Sequence, residues 1–159
     1  MQIKIRRAGR GLSVAAAVAA SMFVAGTALA GECPAGKMAA GFANPNHGPK
    51  GVTDNVLSTV DLGAEKVAAT GHTFRLRRLV IQPGGIVPWH SHAERPAIIY
   101  VVSGTILEYA SHCAVPIVHK AGEVSKEPSG TSHWWKNTGN VPVVLISADI
   151  IKDPTDKNM

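Results

Sequence analysis

Between Val56 and Ile151 the chain is cut by Gly and Pro into short β-rich segments, roughly 8–12 residues apart, and no window of about 10 residues keeps a helical period. The segments are VLSTVDL (56–62), FRLRRLVI (74–81), IVPWHSH (86–92), AIIYVVSGTILEYA (97–110), VPIVHKAGEV (115–124), SHWWKN (132–137) and VPVVLISADII (141–151). Such spacing predicts an all-β sandwich or barrel. Within it, 74–81 reads as a half-buried strand with Arg75 and Arg77 on the face opposite Phe74 and Leu76. Pro83-Gly84-Gly85 reads as a turn, and 97–110 as a hairpin about Ser103-Gly104. A further pair of short strands breaks at Ala121-Gly122.

The first thirty residues are of another kind. A basic stretch, MQIKIRRAGR, leads into a small and apolar run and then into Ala-Leu-Ala ending at Ala30. That is the layout of a secretory signal peptide, with cleavage expected after Ala30 and a periplasmic or secreted destination. The apolar run is short for a membrane span, so no stable membrane anchor is expected after cleavage. Cleavage would remove Lys4, Arg6, Arg7 and Arg10, leaving 12 basic and 11 acidic residues. The net charge of +5 over the whole chain is therefore no argument for nucleic acid, and no basic stripe with interleaved aromatics is present. Residues 31–55, rich in Gly, Pro and Asn, read as an irregular N-terminal arm. Residues 56–151 form the barrel domain and 152–159 a polar C-terminal tail. Two cysteines, Cys33 and Cys113, remain, and an even count in an oxidising compartment favours a disulfide between arm and body.

His90 and His92 stand two apart on an expected strand, so their rings share a face. The stretch GGIVPWHSHAERPAIIYVVSG resembles the first motif of the cupins, G-x5-H-x-H-x3,4-E-x6-G, at Gly84, His90, His92 and Gly104. GEVSKEPSGTSHWWKN resembles the second, G-x5-P-x-G-x2-H-x3-N, at Gly122, Pro128, Gly130, His133 and Asn137. The resemblance implies a jelly-roll β-barrel with its site inside. It also implies a divalent transition metal (Fe, Zn, Mn, Ni or Cu) on His90, His92 and His133, a donor set suited to such ions. One position departs: where the family carries its ligand Glu, this chain has Ala97.

Glu94 is the candidate replacement. It faces the same cavity if the strand runs on past His92, and solvent if the chain turns there. Arg95 is a candidate for holding an anionic substrate by a bidentate fork, or else a surface ion pair. Tyr100 is a candidate proton donor or substrate contact, or a packing residue. His72, His112 and His119 read as surface residues, and His47 as a loop residue. The expected function is that of an exported metal-binding cupin, leaning to a small-molecule metalloenzyme of the dioxygenase-like, three-histidine kind. The alternatives are a non-catalytic module for metal or small molecules, and a metal-free barrel that binds protein. Cupins commonly pair through strands, so a homodimer is compatible with the resemblance.

Overall fold

The structure, a computed structural model, describes residues 32–152. The expected leader and all but the first residue of the expected tail lie outside the described residues. Among the described residues there are eight strands and no helix. They are β1 (Lys50–Asp61), β2 (Thr73–Ser91), β3 (Ala97–Ser103), β4 (Thr105–Ala110), β5 (Ile117–Lys120), β6 (Val124–Glu127), β7 (Ser132–Lys136) and β8 (Val143–Ile151). Hydrogen bonding runs in the order β5-β4-β7-β2-β8-β3-β6, with β1 also on β2. The two ends of that path, β5 and β6, are consecutive in the chain and joined by the turn 121–123. The sheet thus comes back on itself as a nearly closed jelly-roll barrel.

The corner is made inside β2. Residues 73–81 pair with β8 and residues 86–91 with β7, so one strand belongs to both halves of the barrel. Pro83-Gly84-Gly85, expected as a turn, is this corner within a continuous strand. Gly84 has φ +72°, and a Cβ on Gly85 would lie 2.7 Å from both Gln82 O and Ile81 Cγ2. Only glycine allows this backbone approach. The expected hairpin at 97–110 is also corrected. Across Gly104 (φ +86°) the chain passes from β3, which pairs with β8 and β6, to β4, which pairs with β5 and β7. A two-strand apolar run cannot distinguish a hairpin from a crossing between sheets, because both need the same turn. β1 begins at Lys50, within the stretch read as irregular, because ladder bonds to β2 outweigh its weak local pattern.

The barrel interior changes character along its axis. One end is apolar: Leu79, Ile81, Val101, Ile106, Val143 and Leu145 form a buried core with Trp135. The other end is polar, and its side chains come from the same strands, two or four residues away from the apolar ones. Arg75 and Arg77 of β2 point inward there, while Phe74 is exposed. The period of two expected for 74–81 holds, with the opposite face inside. The reason is Asp149 on β8. Arg75 donates to it twice (Nε–Oδ1 3.0 Å, Nη2–Oδ2 2.8 Å) and Arg77 once (Nη2–Oδ2 3.0 Å). Arg77 Nη1 donates to Asp54 Oδ2 on β1 at 2.5 Å. Paired in this way, the guanidinium charges can be buried; unpaired, they could not.

The arm is fixed to the outside of β4 and β7. Ala39, Gly41 and Phe42 donate backbone N–H groups to His112, Ser111 and Ala110. The Phe42 ring meets Tyr109 edge-on, and Tyr109 stacks on Trp134 with centroids 4.0 Å apart. Cys33 and Cys113 form the expected disulfide, which closes 80 residues of chain.

Candidate metal centre

The chain after Pro88 stays extended, so His90, near the end of β2, and His92, one residue past it, both project into the polar end of the barrel. β7 lies beside β2 with His90 opposite His133 in register. The three Nε2 atoms form a nearly equilateral triangle, with separations of 3.1 Å (His90–His92), 3.0 Å (His92–His133) and 3.0 Å (His90–His133). Each Nδ1 faces an oxygen that can only accept. His90 Nδ1 donates to Pro88 O (2.9 Å), His92 Nδ1 to Arg95 O (2.7 Å), and His133 Nδ1 to Glu108 Oε1 (2.6 Å). Each neutral ring therefore carries its proton on Nδ1 and a lone pair on Nε2. Three lone pairs aimed at one point repel one another unless a cation sits among them.

The triangle can be tested for fit. Nitrogens about 3.0 Å apart, each about 2.1 Å from a common ion, subtend about 92°. That is close to the right angle of an octahedral face; a tetrahedral site needs about 109° and nitrogens about 3.4 Å apart. The donor set and the spacing fit a divalent ion of the first transition row.

Behind the triangle lie residues that the motifs did not mark. Glu108 of β4 accepts from His133 on Oε1 and from His119 Nε2 on Oε2 (2.8 Å). A carboxylate behind a ligand histidine fixes the ring and raises its basicity. Burial alone would push the Glu108 carboxyl up, but the hydrogen bonds from His119 and His133 outweigh it and hold the group at about 2. Glu127 of β6 accepts from Ser125 Oγ (2.6 Å) and has Oε2 3.4 Å from His133 Nδ1. Burial, and then the neighbouring Glu108 charge, raise its carboxyl above the usual range. His119, expected at the surface, is fully buried and stacked on Trp135 with centroids 4.4 Å apart. The signal for these residues is the face they share: Glu108 alternates with Ile106 and Ala110, and His119 with Ile117.

The histidines respond differently to this setting. Burial, then the proximity of His133, lowers His92 to about 4 and holds His90 well below its usual value. For His133 burial also acts downward, but the Glu127 and Glu108 carboxylates outweigh it and the ring is raised.

The remaining candidates are placed as follows. The chain turns directly after His92, with Arg95 N–H bonded to His92 O (3.2 Å), and Glu94 on this turn is exposed. It is not part of the histidine cluster. Arg95 is buried, close enough that its charge acts on all three rings. Tyr100 is on the outer face of β3, because Ala97, Ile99 and Val101 take the inner one. Ala97 lies in register between Asp149 on β8 and Glu127 on β6. The missing ligand position is thus flanked by two carboxylates, each engaged elsewhere. His72 and His112 are half-buried, and His47 is an exposed residue of the arm.

Comparison with known proteins agrees with the motifs. Residues 77–149 match the model of the cupin domain. A germin-like protein, subfamily 2 member 1, from Arabidopsis thaliana is 30% identical over 114 residues, which are 68% of this chain and 50% of that protein. The chain spans about half the length of the curated relatives it matches. Among solved structures, a predicted oxalate decarboxylase from Thermotoga maritima aligns with a TM-score of 0.50 at 26% identity, over 63% of this chain and 80% of that one. A recombinant oxalate oxidase in complex with glycolate aligns with a TM-score of 0.51 at 23% identity, over 67% of this chain and 54% of that one. The second shows likeness of fold. The chain belongs to the cupin superfamily.

Proposed function

We propose that this cupin is an exported metalloprotein that holds one divalent transition metal on His90, His92 and His133 and acts on a small organic acid. The observation that carries the reading is the triangle of Nε2 lone pairs at 3.0–3.1 Å, with every Nδ1 proton committed to an oxygen. Three imidazole donors would suit a divalent ion such as Fe, Mn, Ni, Cu or Zn. When bound, such an ion supplies Lewis acidity and, if Fe or Mn, one-electron chemistry with O2. The protein's part is to orient the rings through Pro88 O, Arg95 O and Glu108, to exclude bulk water with apolar walls, and to offer cationic side chains to an anionic substrate. Arg95, buried beside the rings, is proposed for that last role. An acid as substrate is supported by these cations and by the 26%-identical relative named for oxalate.

Analysis of metal in protein purified without chelator or nickel tests the reading. About one Mn or Fe per chain, with O2 uptake or CO2 release on small acids, supports it. No metal even after reconstitution refutes it. A stoichiometric metal without turnover of any acid supports the non-catalytic alternative, a metal- or small-molecule-binding module.

Export and an oxidising destination rest on the leader expected over 1–30 and on the disulfide. A homodimer is supported by the outer face of the β2-β8-β3-β6 half. There Phe74, Ile98, Tyr100, Val102 and Val124 are exposed together, more apolar surface than scattered single residues would leave. Light scattering on the purified protein tests it: a mass of one chain refutes the dimer.

A further inference from the structure

We infer that the small cavity beside the histidines is a carboxylate site that Arg77 helps to line. The inference rests on the proposed metal reading of the triangle and extends it to the group that shares the site. The cavity has about 20 Å³ of space, enough for a water molecule or the end group of a small anion. His90, His92, Arg77 and Ser147 line it, and the rest of the lining is apolar. Neither cupin motif includes Arg77, which the strand pattern places only on the face opposite Phe74 and Leu76.

Three features suit Arg77 to receive an anion. Its guanidinium is fixed: Nη1 by Asp54, and Nη2 by Asp149, with Ser147 Oγ at 3.5 Å. Asp149 is itself fixed by two bonds from Arg75, so the guanidinium has no carboxylate to follow out of the site. A further donor, Nε, is buried and has no hydrogen-bond partner. A buried guanidinium donor left over beside a cavity calls for an acceptor there, and a carboxylate oxygen supplies one through a charge-assisted hydrogen bond. One carboxylate oxygen would face the three Nε2 atoms and the other would accept from Arg77 Nε. The size of the cavity admits the carboxyl group and little more. The site therefore selects acids of one or two carbons and rejects those branched next to the carboxyl.

The test uses the purified protein loaded with Co2+, whose visible bands report changes at the metal. Formate, acetate and trimethylacetate are titrated in turn, with chloride as the plain-anion control. The expected result is saturable change with formate, weaker binding of acetate, and none with trimethylacetate. Arg77→Lys keeps a cation for Asp149 but removes Nε; it should weaken formate about tenfold or more at unchanged Co2+ stoichiometry. Equal binding of trimethylacetate and formate overturns the inference using the wild type alone, whether or not the variant folds. So does a formate affinity unchanged in Arg77→Lys, or chloride as effective as formate. In those cases Co2+ remains bound and the metal reading stands. Failure of the wild type to take up Co2+ overturns both.

Discussion

Replacing Glu108 by Gln isolates the charge behind His133 while keeping the side chain's shape. In the native site both carboxylate oxygens accept, from His133 Nδ1 and His119 Nε2. Glutamine can still accept on one side. On the other its NH2 meets the His119 N–H, so His119 must shift its proton to Nδ1, a buried atom without a partner. The magnitude follows from the carboxyl itself, which moves from 4.5 to about 2 on folding. That corresponds to about 3 kcal/mol for the ionised, hydrogen-bonded form. Because the folded-state value is depressed, the contribution is complete above pH 4.5 and is lost as pH falls through 2. Urea unfolding of metal-free protein should therefore show a gap between wild type and Glu108→Gln of about 3 kcal/mol at pH 7, shrinking steadily below pH 4.5. Metal affinity should fall by about 10- to 100-fold, as expected for loss of a carboxylate behind a ligand histidine. A gap that is the same at pH 3 as at pH 7 would refute the electrostatic account and leave Glu108 as a packing residue.

Metal affinity should also depend on pH in one direction. His90 and His92 are depressed and neutral at pH 7, whereas His133 is raised and must give up its proton to bind. Affinity should therefore rise with pH, with net proton release on metal binding by calorimetry in two buffers. Glu94→Ala should leave metal stoichiometry unchanged and His133→Ala should abolish it, both read by mass spectrometry of the metal. Equal losses would return Glu94 to the site. Cys33→Ser with Cys113→Ser should cost about 4.5 kcal/mol, the loop entropy of a bridge across 80 residues, measured by denaturant unfolding. A cost below about 1 kcal/mol would mean that the hydrogen bonds and rings of the arm hold it without the bridge.

Much of the site can be read from local pattern because its parts are local. His90 and His92 share a face by the period of a strand, and His133 stands in a motif whose glycines mark turns. The class of fold follows from short segments separated by Gly and Pro. Pattern reaches no further than the strand itself. It showed that Arg75 and Arg77 lie opposite Phe74, but the inner face was decided by Asp149, 72 residues beyond Arg77 and brought into register by β8. Glu108 and His119 are polar residues on strands whose other inward residues are apolar, Glu127 shares its inner face with Ser125, and alternation alone does not say that such a face is buried.

What the sequence determined by itself was the all-β class, the family, the candidate trio of histidines and the favoured pairing of two cysteines. What only the tertiary structure decided was partnership. It showed which sheet each strand joins after Gly104, that Glu94 turns away because the chain folds back at His92, and that a carboxylate from β4 orients a histidine from β7. Strand propensity and spacing act over a few residues. The electrostatic cost of burying an arginine or a glutamate is met only by groups that the closed barrel brings together from far along the chain.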